Sequence, residues 1–308
     1  EEVEEVALGG VEIGGKHGHI RQRGIWLREF SWHGGQTFLS PSYQLPAPID
    51  GLQNRSEELR GKTTSTVCFV SHVYGHALLD ELPLILHLLE SQRFRSYDCI
   101  LSSRMAVRLL ERCAHEDLAE LKKRLVPAHP DVRYRSSDHV ALKRTGCCKN
   151  PSSQEINILR RMARFDVGHD VPHPKRIFLK RESLSRRIKN QTEIEDVAKQ
   201  HGIKVISVTE RANPWPLFAH AELVIGVAGS DLADSCFMTP GSHLFEIHPS
   251  DHVQPYNWNV SRKIALNYHG ALAKSEIERG TPLQPGNSPI FIEPDSFAAR
   301  IRSIIDNA

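Results

Sequence analysis

The chain has 308 residues, 40% of them hydrophobic and 25% charged, with a net charge of +2. That is the make-up of a globular protein with room for two domains of ordinary size, and so small a charge gives no global drive toward nucleic acid or an anionic membrane. No apolar run approaches the ~20 residues of a membrane-spanning helix, and the six cysteines include no C-x-x-C pair, so a reducing compartment is expected rather than a zinc site or a disulfide framework.

The chain opens on EEVEEV rather than Met, so the lack of a leader or anchor applies to these residues alone. Residues 1 to about 60 are rich in Gly, His and Trp, and stretches such as GIWLREF and QTFLS predict small strands and turns. From residue 65 the pattern changes: STVCFV predicts a strand, VYGHALLDELPLILHLLE (73–90) a helix and YDCIL another strand. Leu78, Leu79, Leu82, Ile85, Leu86 and Leu89 recur at helical spacing, the mark of a core-facing helix. Inside its first turns stand His76, Asp80 and Glu81, and the first two, four apart, share one face. Helical stretches follow over 104–125, then a strand-like VRYR, a loop at TGCCKNPSS and a helix over 154–164.

The segment VGHDVPHPK (167–175), with two prolines and no periodicity, predicts a linker between domains 1–170 and 171–308. Beyond it RIFLK, KVISV, LVIGVAG and HLFEIHP read as strands. Helices are expected at 191–201, WPLFAHA, 231–238 and the amphipathic DSFAARIRSIID. This alternation predicts parallel βαβ units and a doubly wound α/β sheet. Ligands of such sheets bind beyond the carboxyl ends of the strands, which singles out the loops after RIFLK, LVIGVAG and HLFEIHP.

Each polar feature has two readings. His76 and Asp80 suit a proton-accepting base and its orienting partner, since a carboxylate fixes the tautomer of a neighbouring imidazole. Alternatively the acids complement the helix dipole and His76 is solvated. KRESLSRRIKN places Lys180, Arg181, Arg186, Arg187 and Lys189 after a strand, where guanidinium forks suit phosphate. It equally reads as a solvated, salt-bridged loop, and no aromatic residues interleave it for nucleic-acid stacking. In AGSDLAD (228–234) a helix start after a strand offers N–H groups to a diphosphate, with Gly229 permitting close approach. There Asp231 and Asp234 would repel phosphate unless a cation or basic side chain intervenes; the plainer account makes Ser230 or Asp231 an N-cap and lets Asp234 complement the dipole. His248 lies two residues beyond Glu246 and so points to the same side. Pairs such as His17/His19 and His248/His252 lack the third ligand a zinc site needs, and no metal is expected. Asn54, Asn190 and Asn259 begin N-x-S/T triplets that matter only in a secreted protein.

Three stretches, YGHALLDELP, RIFLKRESLSRRIKNQTEI and LFAHAELVIGVAGSDLADSCFMTPGSHLFEIHP, run in order between about residues 70 and 270. Together they resemble glycosyltransferase family 61, which includes bacterial capsular-polysaccharide enzymes and plant and animal xylosyl-, arabinosyl- and N-acetylglucosaminyltransferases. The resemblance implies a GT-B architecture, α/β, with two Rossmann-like domains facing a cleft and short strands at the N-terminus. Residues 1–170 would form the acceptor side and 171–308 the donor side, the terminal helix being able to pack back on the first domain. It implies inverting transfer of a hexose or pentose from a nucleotide sugar to a hydroxyl of a glycan or glycolipid in polysaccharide assembly, with no metal cofactor. On that basis Asp80, His76 and Glu81 are catalytic candidates. Arg181, Arg186, Arg187, Gly229, Ser230, Asp231 and Glu246 are donor-binding candidates, Glu246 through the ribose hydroxyls. No nucleic-acid partner is implied; the setting would be the cytoplasm or the cytoplasmic face of a membrane, reached through other parts or partners, or the Golgi lumen for a eukaryotic fragment.

One motif departs from the family. Where it reads H-G-A-G-L-x-N this chain has Ala228 for the His, Asp231 for the second Gly and Asp234 for the Asn, while Gly229 and Leu232 are retained. Two rival readings follow: a glycan- or nucleotide-binding homologue without turnover, and a metal-dependent transferase using Asp231 and Asp234.

Overall fold

A computed structural model describes residues 3–14, 20–23, 25–26, 55–67, 73–143, 150–165, 173–183, 185–209, 211–276 and 287–307. The chain divides into two compact units, Glu1–Ala163 and Arg164–Ala308. QTFLS, Asn54, the His17/His19 pair, TGCC and most of VGHDVPHPK lie outside the described residues.

The strands of the first unit are β1 (Glu4–Gly14), β2 (Ile20–Gln22), β3 (Ile25–Trp26), β4 (Arg55–Ser65), β5 (Cys99–Ser103), β6 (Leu125–Ala128) and β7 (Val132–Lys143). Among the described residues they form one sheet in the order β3-β2-β1-β7-β4-β5-β6. The β7-β4-β5-β6 half is parallel and the β3-β2-β1-β7 half antiparallel. β1, β4 and β7 are far longer than the short stretches the composition suggested, and β4 ends where STVCFV was expected to begin a strand. The reason is alternation of polar with apolar residues. In β7, Val132, Tyr134 and Ser136 are buried while Arg133 and Arg135 face outward, so half the strand reads as loop. Val11, Ile13, Leu59, Leu101, Val132 and Tyr134 meet in one core cluster. Behind them His139 is fully buried, its Nδ1 2.9 Å from the hydroxyl of Thr63, and burial pushes its pKa down to about 4.

The helices of this unit are α1 (Tyr74–His76), α2 (Leu82–Glu90), α3 (Arg104–Leu109), α4 (Leu118–Lys122) and α5 (Ser153–Met162). The helical stretches expected over 104–125 are α3 and α4, and the chain then runs into β6. α5 begins where the sequence marks it: Ser152 accepts from Glu155 N–H and Glu155 returns the bond to Ser152 N–H.

The second unit carries β8 (Arg176–Leu179), β9 (Lys204–Ile206), β10 (Leu223–Val227), β11 (His243–Pro249), β12 (Asn267–Ser275) and β13 (Ile290–Phe291). They are ordered β13-β12-β11-β10-β8-β9, parallel except for β13. α6 (Gln191–Gln200), α7 (Trp215–His220), α8 (Tyr256–Lys263) and α9 (Pro294–Asp306) accompany them. β10 is buried along its whole length, as a central parallel strand must be. The terminal helix α9 packs through Phe297, Ile301 and Ile304 onto Phe178, Ile225, Phe245 and Ile194 of its own unit. The side-chain amide of Asn190 donates to the carbonyl of Ile292. Among the described residues no helix is long and apolar enough to cross a membrane.

Candidate functional site

Two polar clusters stand out, one in each unit. The first lies in the helix that opens after β4. Between α1 and α2 the chain makes a π-helical turn, Ala77–Glu81. Pro83, one residue into α2, accounts for it, because proline has no N–H for the carbonyl four residues back and its ring crowds that carbonyl. Such wide turns recur at functional sites. Here the turn carries both Asp80 and Glu81 inward, and each is 0% exposed. The expectation that these acids merely complement a helix dipole in solvent is therefore overturned.

Asp80 Oδ2 lies 2.6 Å from His76 Nδ1, whose side chain is 14% exposed. With Nδ1 donating to the carboxylate, the tautomer is set so that Nε2 is the proton-accepting atom. Glu81 plays a different part. Its carboxylate accepts from the N–H of Ser103 at 2.7 Å, from the Ser103 hydroxyl at 2.5 Å and from Thr66 Oγ1 at 3.1 Å. Ser103 in turn caps α3 by accepting from Ala106 N–H. Glu81 thereby ties the π turn to the carboxyl ends of β4 and β5, and the imidazole reaches outward while both acids stay within.

The second cluster draws on the turns after β8 and β10, two of the loops that the strand pattern singled out, and on β11 itself. Arg181, two residues beyond β8, is buried; its Nη1 donates to Asp231 at 2.8 Å, and its Nε and Nη2 both donate to the carbonyl of Ser185 at 3.1 Å. Gly229 is where this pair passes the β10 turn. A Cβ there would come within 2.7 Å of Arg181 Nη1, so the residue is small because the guanidinium lies against it. The stretch expected as an α-helix is a 3₁₀ helix, Ser230–Phe237, whose N-cap is Gly229 with no side-chain cap bond. Ser230 and Asp231 therefore do not cap it, and Asp231 spends its carboxylate on Arg181. Asp234 is buried within that helix. Among the described residues no group of three or more His, Cys, Asp or Glu could hold a metal ion.

Arg186 sits in the same loop with φ of 57°, its N–H bonded to the carbonyl of Asn287. Its Nε is buried without a hydrogen-bond partner. Burial, followed by the charge of Arg181, lowers its pKa, while Asp231 and Glu246 act the other way. Arg187 is exposed, and its carbonyl anchors Ile290 of β13.

Glu246 is buried in β11 between Gly226 of β10 and Gly270 of β12, which face it across the ladder. The ring of Tyr268 lies against Gly270, while Leu232 and Leu179 close on Gly226. Tyr268 donates to Glu246 Oε2 at 2.8 Å, and the Asn257 amide donates to Oε1 at 2.7 Å. His248 does face the same side, with Nε2 2.8 Å from the Tyr268 hydroxyl. Burial pushes the Glu246 carboxyl up to about 7, against the pull of those two hydrogen bonds and of Arg186. Sequence reading missed Asn257 and Tyr268, which lie eleven and 22 residues beyond Glu246 on elements it did not foresee. The structure thus brings Arg181, Gly229 and Asp231 together, and the charges of Arg181, Asp231 and Glu246 all act on Arg186.

Residues 74–245, more than half of the chain, match the family model of Glycosyltransferase 61. No curated protein matches the chain.

Proposed function

The chain belongs to glycosyltransferase family 61, and on that premise we propose that it moves a sugar from a nucleotide-sugar donor to a hydroxyl of a glycan or glycolipid acceptor, with inversion at the anomeric carbon. The first unit handles the acceptor and the second the donor, the division of labour of a GT-B enzyme. The observation that carries this reading is the 2.6 Å contact between His76 and Asp80, set in a π turn inside the family-matched segment.

In the proposed step His76 Nε2 takes the proton of the acceptor hydroxyl while Asp80 holds the ring and stabilises the imidazolium that forms. The acceptor oxygen bonds to the anomeric carbon as the bond from that carbon to the phosphate oxygen breaks. The electron pair leaves with the phosphate, whose charge Arg186 meets. Glu246 accepts hydrogen bonds from the ribose. No divalent ion is assigned a part, because the carboxylate of Asp231 faces a guanidinium, a partner that competes with a cation. Which sugar moves, hexose or pentose, is set by contacts of the bound donor.

The test is a thermal-shift panel of UDP, GDP, CMP and ADP and their sugars, with and without Mn²⁺. A ligand that binds the native state raises its melting temperature. One nucleotide class should respond, equally with and without Mn²⁺. No response at millimolar ligand would contradict the donor role of the second unit. A homologue that binds without turnover is the second reading, favoured by the Arg181–Asp231 pair, which engages a phosphate ligand candidate; hydrolysis of the donor without acceptor would count against it.

A further inference from the structure

In the donor cluster the two arginines differ. Arg181 has a side chain 6% exposed, and each of its three nitrogens donates to the protein: Nη1 to Asp231, Nε and Nη2 to the carbonyl of Ser185. Asp231, at 33% exposed, lies on the solvent side of that pair. Its carboxylate stands where an anionic ligand would meet the guanidinium, and it brings the same charge and the same oxygen acceptors as a phosphate. Arg186, by contrast, has a buried Nε without a hydrogen-bond partner and is acted on by Asp231 and Glu246 from nearby.

A phosphate drawn to this turn therefore finds Arg186 uncommitted and Arg181 occupied. Resting on the donor-site reading above, we propose that Asp231 is a specificity-determining residue that acts as a built-in competitor for Arg181. It withholds that guanidinium from a second phosphate, so the site gains little from a nucleoside diphosphate over the corresponding monophosphate. A diphosphate engages Arg181 only by displacing Asp231, which must then give up a charge-assisted hydrogen bond and face the incoming phosphate as a like charge. The site thus takes nucleotides joined to their cargo through one phosphate as readily as through two.

The experiment is calorimetric titration of the full chain with matched pairs, UMP and UDP, GMP and GDP, CMP and CDP, AMP and ADP, using wild type, Asp231→Asn and Arg186→Gln. In the wild type the affinities within the responding pair should agree within about threefold. Asp231→Asn keeps the shape and removes the charge; it should tighten the diphosphate by about tenfold or more, the worth of one charge-assisted bond, and leave the monophosphate almost unchanged. Arg186→Gln should weaken both by about tenfold. Should Asp231→Asn fold poorly, Asp231→Ser serves the same comparison, with melting temperature as the control. A wild type that prefers the diphosphate by about tenfold or more, with that ratio unmoved by Asp231→Asn, overturns the inference and leaves the donor site standing. A weakened diphosphate in Asp231→Asn also overturns it, since the pair would then be a brace and not a competitor. Absence of binding by any nucleotide to any variant sinks the donor-site reading and this inference together.

Discussion

Glu246 shows how far one residue's chemistry is set by its neighbours. Tyr268 and Asn257 hold its oxygens, and burial raises its pKa from 4.5 to about 7. A carboxyl raised in the folded state favours the protonated native form. Its contribution to stability is present in full below about 4.5 and is lost as pH rises toward about 7. The melting temperature of wild type should accordingly fall relative to Glu246→Gln between pH 5 and 8. Ribose hydroxyls, however, need an acceptor, so nucleotide affinity should rise over the same interval in wild type and stay flat in Glu246→Gln. A flat wild-type affinity profile would remove Glu246 from the ribose role. The sequence pointed to Glu246 through the end of a strand, but its partners were hidden because parallel pairing and an intervening helix bring them from far along the chain.

At the scale of elements, the opening helix is held in register by Glu81. Its three hydrogen bonds reach Ser103 and Thr66, so the π turn, the end of β5 and the cap of α3 form one unit. Glu81→Ala takes the carboxylate from the buried N–H and hydroxyl of Ser103, while Thr66 keeps Ser102 and Leu101 as partners; it should cost about 2–4 kcal/mol, read as a lower denaturant midpoint. A variant as stable as wild type would show that the turn is held by packing alone. Apolar periodicity announced this helix, because that signal is local; the capping box of α5 was not read from the sequence. The π turn was not legible, since one widened turn barely disturbs helical spacing. Neither was the separation of Asp80 from Glu81 into an orienting and an anchoring acid, which rests on partners 15 and 22 residues away. β4, β7 and β12 were missed or cut short because their polar, solvent-facing residues dilute the strand signal.

For the whole molecule, the alternation of strands and helices beyond residue 170 was enough to place a parallel sheet, whereas the mixed sheet of the first unit was not foreseen. What joins the two units in one account is a division of chemistry: a His–Asp pair in one and a guanidinium–carboxyl cluster in the other, both in a glycosyltransferase of family 61. That account stands or falls on turnover. The decisive measurement is consumption of the responding nucleotide sugar by wild type and by His76→Ala, with the anomeric configuration of the product read by NMR. The account predicts an inverted product and a loss of about a hundredfold or more in kcat for the variant, with nucleotide affinity unchanged. Equal turnover by His76→Ala, or a product of retained configuration, would contradict it.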